Sequence, residues 1–312
     1  MKVLITGATG LIGRGLCHSL TGEGHEVIAL SRSPQRAKDI AVAEAHRWEP
    51  EAGPPPDEAL NGVDAVVHLA GEPIAARRWS DEQKRRIRDS RVASTRNLVN
   101  ALRLMAIKPR VLVSSSAVGF YGDRGDELLN ESSAAGAGFM SEVCESWERE
   151  AERARLFGVR VVEVRTGVVL SAEGGALKKM LPPIKLGVGG PLGGGKQWFP
   201  WIHIEDIVGI FRHAIKSSSL SGPVNGTAPG LVNNAELTKQ LGRVLHRPTF
   251  LGVPEFALRG LMGEMADVLL GSQRVIPKAV LDDGYKFQYP SLPLALEDLL
   301  GDKGKRARAA AN

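Results

Sequence analysis

Apolar residues fall in short, nearly continuous runs along this chain, separated by glycine-rich turns and by stretches with helical spacing. "KVLIT" is a short apolar strand; Gly7, Gly10 and Gly13 follow; Ile12, Leu16 and Leu20 then recur at helical spacing before a second strand, "HEVIALSR". The runs "VDAVVHLAG" (63–71), "PRVLVSSSA" (109–117) and "VRVVEVRTGVVL" (159–170) keep the same beat. Each is almost wholly apolar, as strands of a parallel sheet covered on both faces must be. Helical patterns over 80–106 and 141–157 lie between them. This alternation predicts an α/β fold: a doubly wound parallel sheet with helices on both faces and right-handed crossovers.

In such a sheet, ligands sit beyond the C-terminal strand ends. Those ends read Gly7–Gly13, Ser31-Arg32, Leu69-Ala70-Gly71, Ser114–Ser116 and Arg165–Val168. The glycine triplet has the context of a Rossmann dinucleotide fingerprint, with a strand before it, a helix after it and a second strand on time. One glycine makes the tight turn, one admits a pyrophosphate and one lets helix and strand pack closely, with the helix N-terminus facing the anion. Gly7, Thr9, Gly10, Leu11, Ile12 and Gly13 are the candidate contacts. After the second strand, where an acidic residue would hold an NAD ribose, the chain reads Ser31-Arg32-Ser33, with Arg36 and Lys38 nearby. A guanidinium there grips a 2′-phosphate that a carboxylate would repel, so NADP(H) and Arg32 are expected.

Composition narrows the class. With 312 residues, 43% hydrophobic and 24% charged, the chain has the material for one large soluble domain or two small ones. No apolar run approaches a membrane span, and "VLITGATGLIG" follows the start too directly for a secretory leader. The net charge of +5 points to nucleic acid only until it is located: Lys303, Lys305, Arg306 and Arg308 against Asp302 put +3 into the last dozen residues. Such a stretch reads as a frayed basic tail over 301–312, so nucleic acid is not an expected partner. Cys17 and Cys144 make neither a disulfide framework nor a metal cluster, and a cytoplasmic location is expected. No metal-ligand spacing appears.

The longer motifs "TGATGLIG", "HLAG", "SSSAVGFYG" and "FPWIHIEDI" resemble those of the extended short-chain dehydrogenase/reductase superfamily of NAD-dependent epimerases and dehydratases. "LAGEPI" (69–74), "RRW" (77–79), "SRVASTR" (90–96), "CESWE" (144–148), "GGPLGGGKQWFPWIHIEDI" (189–207) and "NGTAPG" (225–230) resemble its SDR39U1-like branch of epimerase family proteins. The resemblance spans nearly the whole chain. It implies an NADP-binding domain over 1–170, with segments near 200–230 returning to it. It also implies a smaller C-terminal substrate lobe over 171–300, whose 250–300 portion is a helical appendage. It further implies cofactor contacts at Ser31, Arg32, Leu69, Ala70, Gly71, Arg91, Ser114 and Val168. The partner would be a small-molecule substrate rather than nucleic acid or membrane, and the protein a monomer or homodimer. Arg91 also continues the helix face of Lys84 and Arg88 at i, i+4, i+7, where a solvated basic stripe is the plainer reading of the first two.

The superfamily uses a serine after its fifth strand and a Tyr-x-x-x-Lys helix, the lysine lowering the tyrosine's pKa for proton exchange. Ser116 matches the serine. The pair is missing: one register places Phe139 and Val143 there, the other Met140 and Cys144. Tyr121, in the loop after the serines, is the candidate substitute acid. Glu148 and Trp147 read as packing and capping residues, His203 as a hydrogen-bonded structural histidine, and 187–201 as a flap whose Trp198, Phe199 and Trp201 line the pocket. Two readings remain open: an oxidoreductase or epimerase-like enzyme with a non-standard proton donor, and a non-catalytic NADP(H)-binding sensor or scaffold.

Overall fold

The computed structural model describes residues 1–37 and 40–301. Lys38 and residues 302–312 of the basic tail lie outside the described residues. In chain order the elements are β1 (Lys2–Thr6), α1 (Leu11–Gly22), β2 (Glu26–Ser31), β3 (Glu44–Arg47), α2 (Asp57–Leu60), β4 (Ala65–His68), α3 (Asp81–Leu104), β5 (Val111–Ala117), β6 (Leu128–Leu129) and α4 (Phe139–Glu152). They continue with β7 (Arg160–Thr166), β8 (Val168–Leu170), α5 (Gly175–Lys185), β9 (Trp201–His203), α6 (Ile204–Lys216), β10 (Gly222–Gly226) and α7 (Asn234–Leu245). The last elements are α8 (Glu255–Met262), α9 (Ala266–Leu270), β11 (Arg274–Val275), α10 (Lys278–Asp282) and α11 (Leu292–Leu300).

Seven strands form one parallel sheet in the order β10-β7-β5-β4-β1-β2-β3. The order reverses between β1 and β4, so the ligand crevice of a doubly wound sheet opens beyond Thr6 and His68. Successive strand residues serve opposite faces. Val3, Ile5, Val67, Val113 and Val164 pack with Leu16, Cys17 and Leu20 of α1 and Ile207, Ile210 and Phe211 of α6. Leu4, Val66, Leu112 and Val161 pack with Leu98, Val99 and Leu102 of α3 and Ala151 of α4. Two-sided burial is why these strands read as unbroken apolar runs. β3, a short edge strand of mostly polar residues, gave no such signal.

The run 159–170 is two strands rather than one. At Gly167 the chain leaves the main sheet, passing the Pro200 carbonyl so closely that a Cβ there would lie 2.3 Å from its oxygen. β8 then pairs in parallel with β9. This pair opens a second core, where Leu170, Leu177, Leu181, Ile184 and Trp201 meet Leu237, Leu241, Leu292 and Leu296. β10 takes the chain back to the edge of the main sheet. His203 caps α6, its Nδ1 accepting from the Glu205 N–H at 3.1 Å, while Nε2 lies 3.2 Å from Asp298. Trp201 is buried in the second core with its indole N–H on the Gly230 carbonyl, so it does not line a pocket. The 187–201 segment is tied down as well: Gly193 N–H donates to Val253, and Trp198 donates its indole N–H to Asp126 at 2.8 Å.

Candidate functional site

At the crevice, backbone geometry dictates the glycines. Gly7 has φ +70°, and a Cβ on it would lie 2.8 Å from the Leu69 carbonyl carbon. A Cβ on Gly13 would lie 2.3 Å from the Gly7 carbonyl oxygen, so only glycine lets α1 start this close to the turn. Gly10 is the N-cap residue of α1 and supplies no side-chain acceptor, which leaves the first helical N–H groups for an anion. Leu11 packs against Gly174 and Gly175 at the start of α5, joining the turn to the second lobe.

The facing edge, Leu69-Ala70-Gly71, is held by a chain of buried polar groups. Thr6 Oγ1 accepts from the Leu69 and Ala70 N–H groups, both at 3.1 Å, and lies 2.7 Å from His68 Nδ1. With both acceptor sites taken, the threonine spends its one proton on Nδ1, which makes Nε2 the protonated nitrogen of His68. Nε2 meets Ser94 Oγ at 3.2 Å, and Ser94 donates to the Ser90 carbonyl at 2.6 Å. His68 is fully buried, and that burial pushes its pKa down to about 3. Arg91 completes the edge: its guanidinium donates to the Glu72 and Ile87 carbonyls at 3.0 Å and lies over the Trp147 ring. Arg91 thus braces the loop from behind. Lys84 departs from the solvated-stripe reading, since it pairs with Glu264 of the C-terminal appendage; Arg88 pairs with its neighbour Asp89.

Beside the glycine turn is a cavity of about 240 Å³ lined by Thr9, Arg14, Arg36 and Ile40. Neither arginine side chain has a hydrogen-bond or ion-pair partner among the described residues. Guanidinium groups beside a helix N-terminus favour an anion. Arg32, exposed like Arg14 and Arg36, stands outside this lining. Ser31 turns its hydroxyl to the Ser33 N–H at 3.1 Å. The sequence carried the cue, because Arg36 stands in the same basic stretch and Arg14 in the first turn of α1. Val168 begins β8 with its N–H on the Pro200 carbonyl at 2.7 Å.

At the end of β5 the structure decides between the two registers of α4. A Cβ on Gly119 would lie 3.2 Å from Met140 Cβ and 3.9 Å from Cys144 Sγ. Met140, Cys144 and Glu148, at i, i+4 and i+8, therefore form the helix face toward Ser116. Phe139 instead packs edge-on against Trp79 with ring centroids 5.1 Å apart, and Val143 is buried. No phenol or ammonium group stands on that face. Burial first, then the Glu148 charge, pushes the Cys144 thiol up to about 12, so it is neutral.

Glu148, which the sequence suggested as a cap, is the hub of this region. Ser116 donates to its Oε1 at 2.5 Å, while Arg165 donates from Nε at 2.9 Å and from Nη2 at 2.8 Å. Arg165 and Ser116 are direct partners across β5 and β7. The guanidinium also stacks 3.4 Å from the Phe120 ring centroid. The expectation that Tyr121 overhangs the pocket fails. Its side chain is fully buried, and its hydroxyl donates to Asn225 Oδ1 at 2.7 Å and accepts from Arg165 Nη1 at 3.0 Å. Burial pushes its pKa up, so it is neither placed nor tuned as a proton donor to a ligand. Ser114 and Ser116 are likewise buried, the Ser114 hydroxyl on the Ser115 carbonyl at 3.2 Å. The signal for this network was Arg165, a charged residue inside a largely apolar strand.

Among the described residues no group of three histidine, cysteine or acidic side chains is arranged to hold a metal ion, and no helix is long and apolar enough to cross a membrane.

Known proteins match this arrangement along its length. The model of the NAD dependent epimerase/dehydratase family matches residues 3–225, and that of a domain of unknown function, DUF1731, matches residues 253–299. The SDR39U1 homolog of Arabidopsis thaliana, described as a chloroplastic epimerase family protein, is 40% identical over 311 residues, covering 96% of this chain and 87% of its own. An epimerase family protein of Mycobacterium bovis is 42% identical, covering 94% of this chain and 96% of its own. The crystal structure of the human epimerase family protein SDR39U1 with NADPH superposes with a TM-score of 0.87 at 36% identity, over 97% of this chain and 100% of that one. The chain belongs to the NAD dependent epimerase/dehydratase family, in the branch of epimerase family proteins whose C-terminal domain is DUF1731.

Proposed function

We propose that the protein binds NADP(H) and acts as an atypical oxidoreductase or epimerase-like enzyme on a small substrate bearing a carbonyl or hydroxyl group, without the superfamily's Tyr-x-x-x-Lys pair. The observation that carries the cofactor assignment is the cavity with unpaired Arg14 and Arg36 beside the glycine turn. There the two guanidinium groups hold the 2′-phosphate, while the turn Gly7–Gly13 and the α1 N-terminus, with Thr9, Leu11 and Ile12, take the pyrophosphate. Ser31 and Arg32 flank the adenosine end. Leu69, Ala70 and Gly71 line the crevice from β4, backed by Arg91, and Val168, just past the end of β7, stands nearer the nicotinamide, whereas Ser114 is buried within β5. The NADPH in the human relative supports the same choice. The cofactor, when bound, supplies hydride chemistry. This chain supplies the cradle, the buried edge that orients it and the Ser116 hydroxyl as the substrate's partner.

A second reading, a non-catalytic NADP(H)-binding sensor or scaffold, is favoured by one feature. The hydroxyls of both Ser116 and Tyr121 are turned into internal hydrogen bonds. Quenching of tryptophan fluorescence by NADPH and NADH tests binding. Turnover on a panel of secondary alcohols and activated carbonyls, followed at the nicotinamide absorbance, separates the readings. Oxidation or reduction of any member supports the enzyme, whereas tight NADPH binding with none supports the sensor. Failure to bind NADPH overturns both.

A further inference from the structure

One end of the second lobe carries an apolar patch that no other part of the described chain covers. α5 and α7 each bury one side in the second core, Leu177, Leu181 and Ile184 from α5 and Leu237 and Leu241 from α7. Their C-terminal ends meet, where Arg247 Nε donates to the Lys185 carbonyl at 3.0 Å. The segments leaving the two helices then run side by side. A Cβ on Gly187 would lie 3.7 Å from Pro248 Cγ, one on Gly190 would lie 2.1 Å from the Leu251 carbonyl oxygen, and Leu192 bridges to Val253. These segments turn Leu186, Val188, Phe250 and Leu251 outward, all between 47% and 77% exposed. Apolar side chains scattered singly on a surface need no explanation, whereas four large ones on adjoining segments mark an interaction face.

Charge singles out the occupant. Residues 174–192 hold Lys178, Lys179 and Lys185 and no acid, and residues 237–254 hold Lys239, Arg243 and Arg247 and no acid. All six side chains are exposed, and none forms an ion pair among the described residues. Six positive charges in these two segments exceed the net +5 of the whole chain, so the remainder is on balance slightly negative. A purely polyanionic partner, such as nucleic acid, would satisfy the cations and leave the leucines and the phenylalanine in water. An anionic bilayer satisfies both: its headgroups attract the lysine and arginine side chains, and the apolar side chains enter the boundary of the acyl chains.

We infer that the end of the second lobe built from residues 185–188 and 247–251 is a docking face for an anionic membrane surface, on which the protein rests without crossing it. Docking of this kind needs no spanning run, which is why a sequence read for one pointed away from a membrane. It uses no group of the dinucleotide crevice.

The full chain is mixed with vesicles of phosphatidylcholine alone or of equimolar phosphatidylcholine and phosphatidylglycerol, and the bound fraction is read by flotation. Binding to the anionic vesicles and little to the neutral ones is expected, weakening as salt rises from about 0.1 M to about 0.5 M. Leu186→Ser/Phe250→Ser removes two inserted side chains and should lower the partition coefficient at least about tenfold. In Lys239→Ala/Arg243→Ala each charge removed should cost about fivefold. Leu104→Ser/Ile107→Ser, which removes two equally exposed apolar side chains at the end of α3, should leave binding unchanged. The substituted side chains are all exposed, so thermal unfolding should not move. Absence of binding to either vesicle, or equal binding to both, overturns the assignment. So does binding that survives both sets of substitutions on α7 and the patch, which locates it elsewhere in the chain. Binding lost with the charges but indifferent to Leu186 and Phe250 also overturns it, in favour of a polyanion other than a bilayer.

Discussion

Between β1 and β4 the site is made of backbone, and between β5 and β7 it is made of side chains. In the first region the groups that shape the crevice are Gly7, Gly13 and the amides of Leu69 and Ala70, and the side chains Thr6, His68 and Arg91 serve to hold that backbone in place. In the second, Ser116, Glu148, Arg165, Tyr121 and Asn225 bond to one another through their own polar atoms. A backbone site tolerates few residue types, because a Cβ either fits or does not. A side-chain network depends on which groups three elements bring together. The two regions should therefore break in different ways.

The largest effect is expected at the Glu148–Arg165 pair. Both side chains are nearly buried, so Arg165→Met leaves an uncompensated carboxylate and is expected to cost about 3–5 kcal/mol in denaturant unfolding. The double variant Arg165→Met/Glu148→Leu should recover most of that loss. If Arg165→Met alone is neutral, the pair is not the hub.

In the backbone region, His68 is held neutral with its folded pKa below its unfolded value. Its contribution to stability is therefore full above about pH 6.5 and is lost as pH falls toward 3, at about 1.4 kcal/mol per pH unit. The difference between the protein and a His68→Gln variant, followed by thermal unfolding across that range, should shrink with acidification. Gly13→Ala should cost about 1–3 kcal/mol through the clash with the Gly7 carbonyl and weaken NADPH binding, with crevice geometry rather than charge as the cause.

Glu163 shows the opposite pH sign. It is buried, its two oxygens meet no donor among the described residues, and burial, then Glu152, hold its pKa well above the carboxylate range. Its neutral form fits the fold, so stability is greatest below the unfolded carboxylate pKa of about 4.3 and declines as pH rises toward the folded value. Glu163→Gln should match the protein in acid and exceed its stability increasingly toward neutral pH. A parallel pair of profiles would show that Glu163 is ionised in the fold. The smallest effect is expected from Arg32→Ala, whose side chain is outside the arginine cavity.

These contrasts explain what the sequence disclosed. The strands were legible because burial on both faces removes polar residues from them, and the glycines because turn geometry excludes every other side chain. The second lobe's separate strand pair was not, since the apolar run 159–170 does not reveal that Gly167 must pass the Pro200 carbonyl. Arg32 was legible from its place after β2, whereas Arg14 and Arg36 meet only through the turn at 34–37, which brings Arg36 to the cavity that Arg14 also lines. Tyr121 and Glu148 were misjudged for one reason. Whether a polar side chain faces a ligand or an internal partner depends on contacts 104 and 32 residues distant in sequence, Asn225 for the tyrosine and Ser116 for the glutamate.

The most direct measurement is the ratio of NADH to NADPH dissociation constants, by tryptophan fluorescence, for the protein and for Arg14→Ala/Arg36→Ala. A strong NADPH preference in the first, reduced at least tenfold in the second while NADH affinity is unchanged, is the expected result, since each charge-assisted contact to the phosphate is worth about 1.5–3 kcal/mol. A ratio near one in the unaltered protein, or a preference that survives the double substitution, would contradict the account.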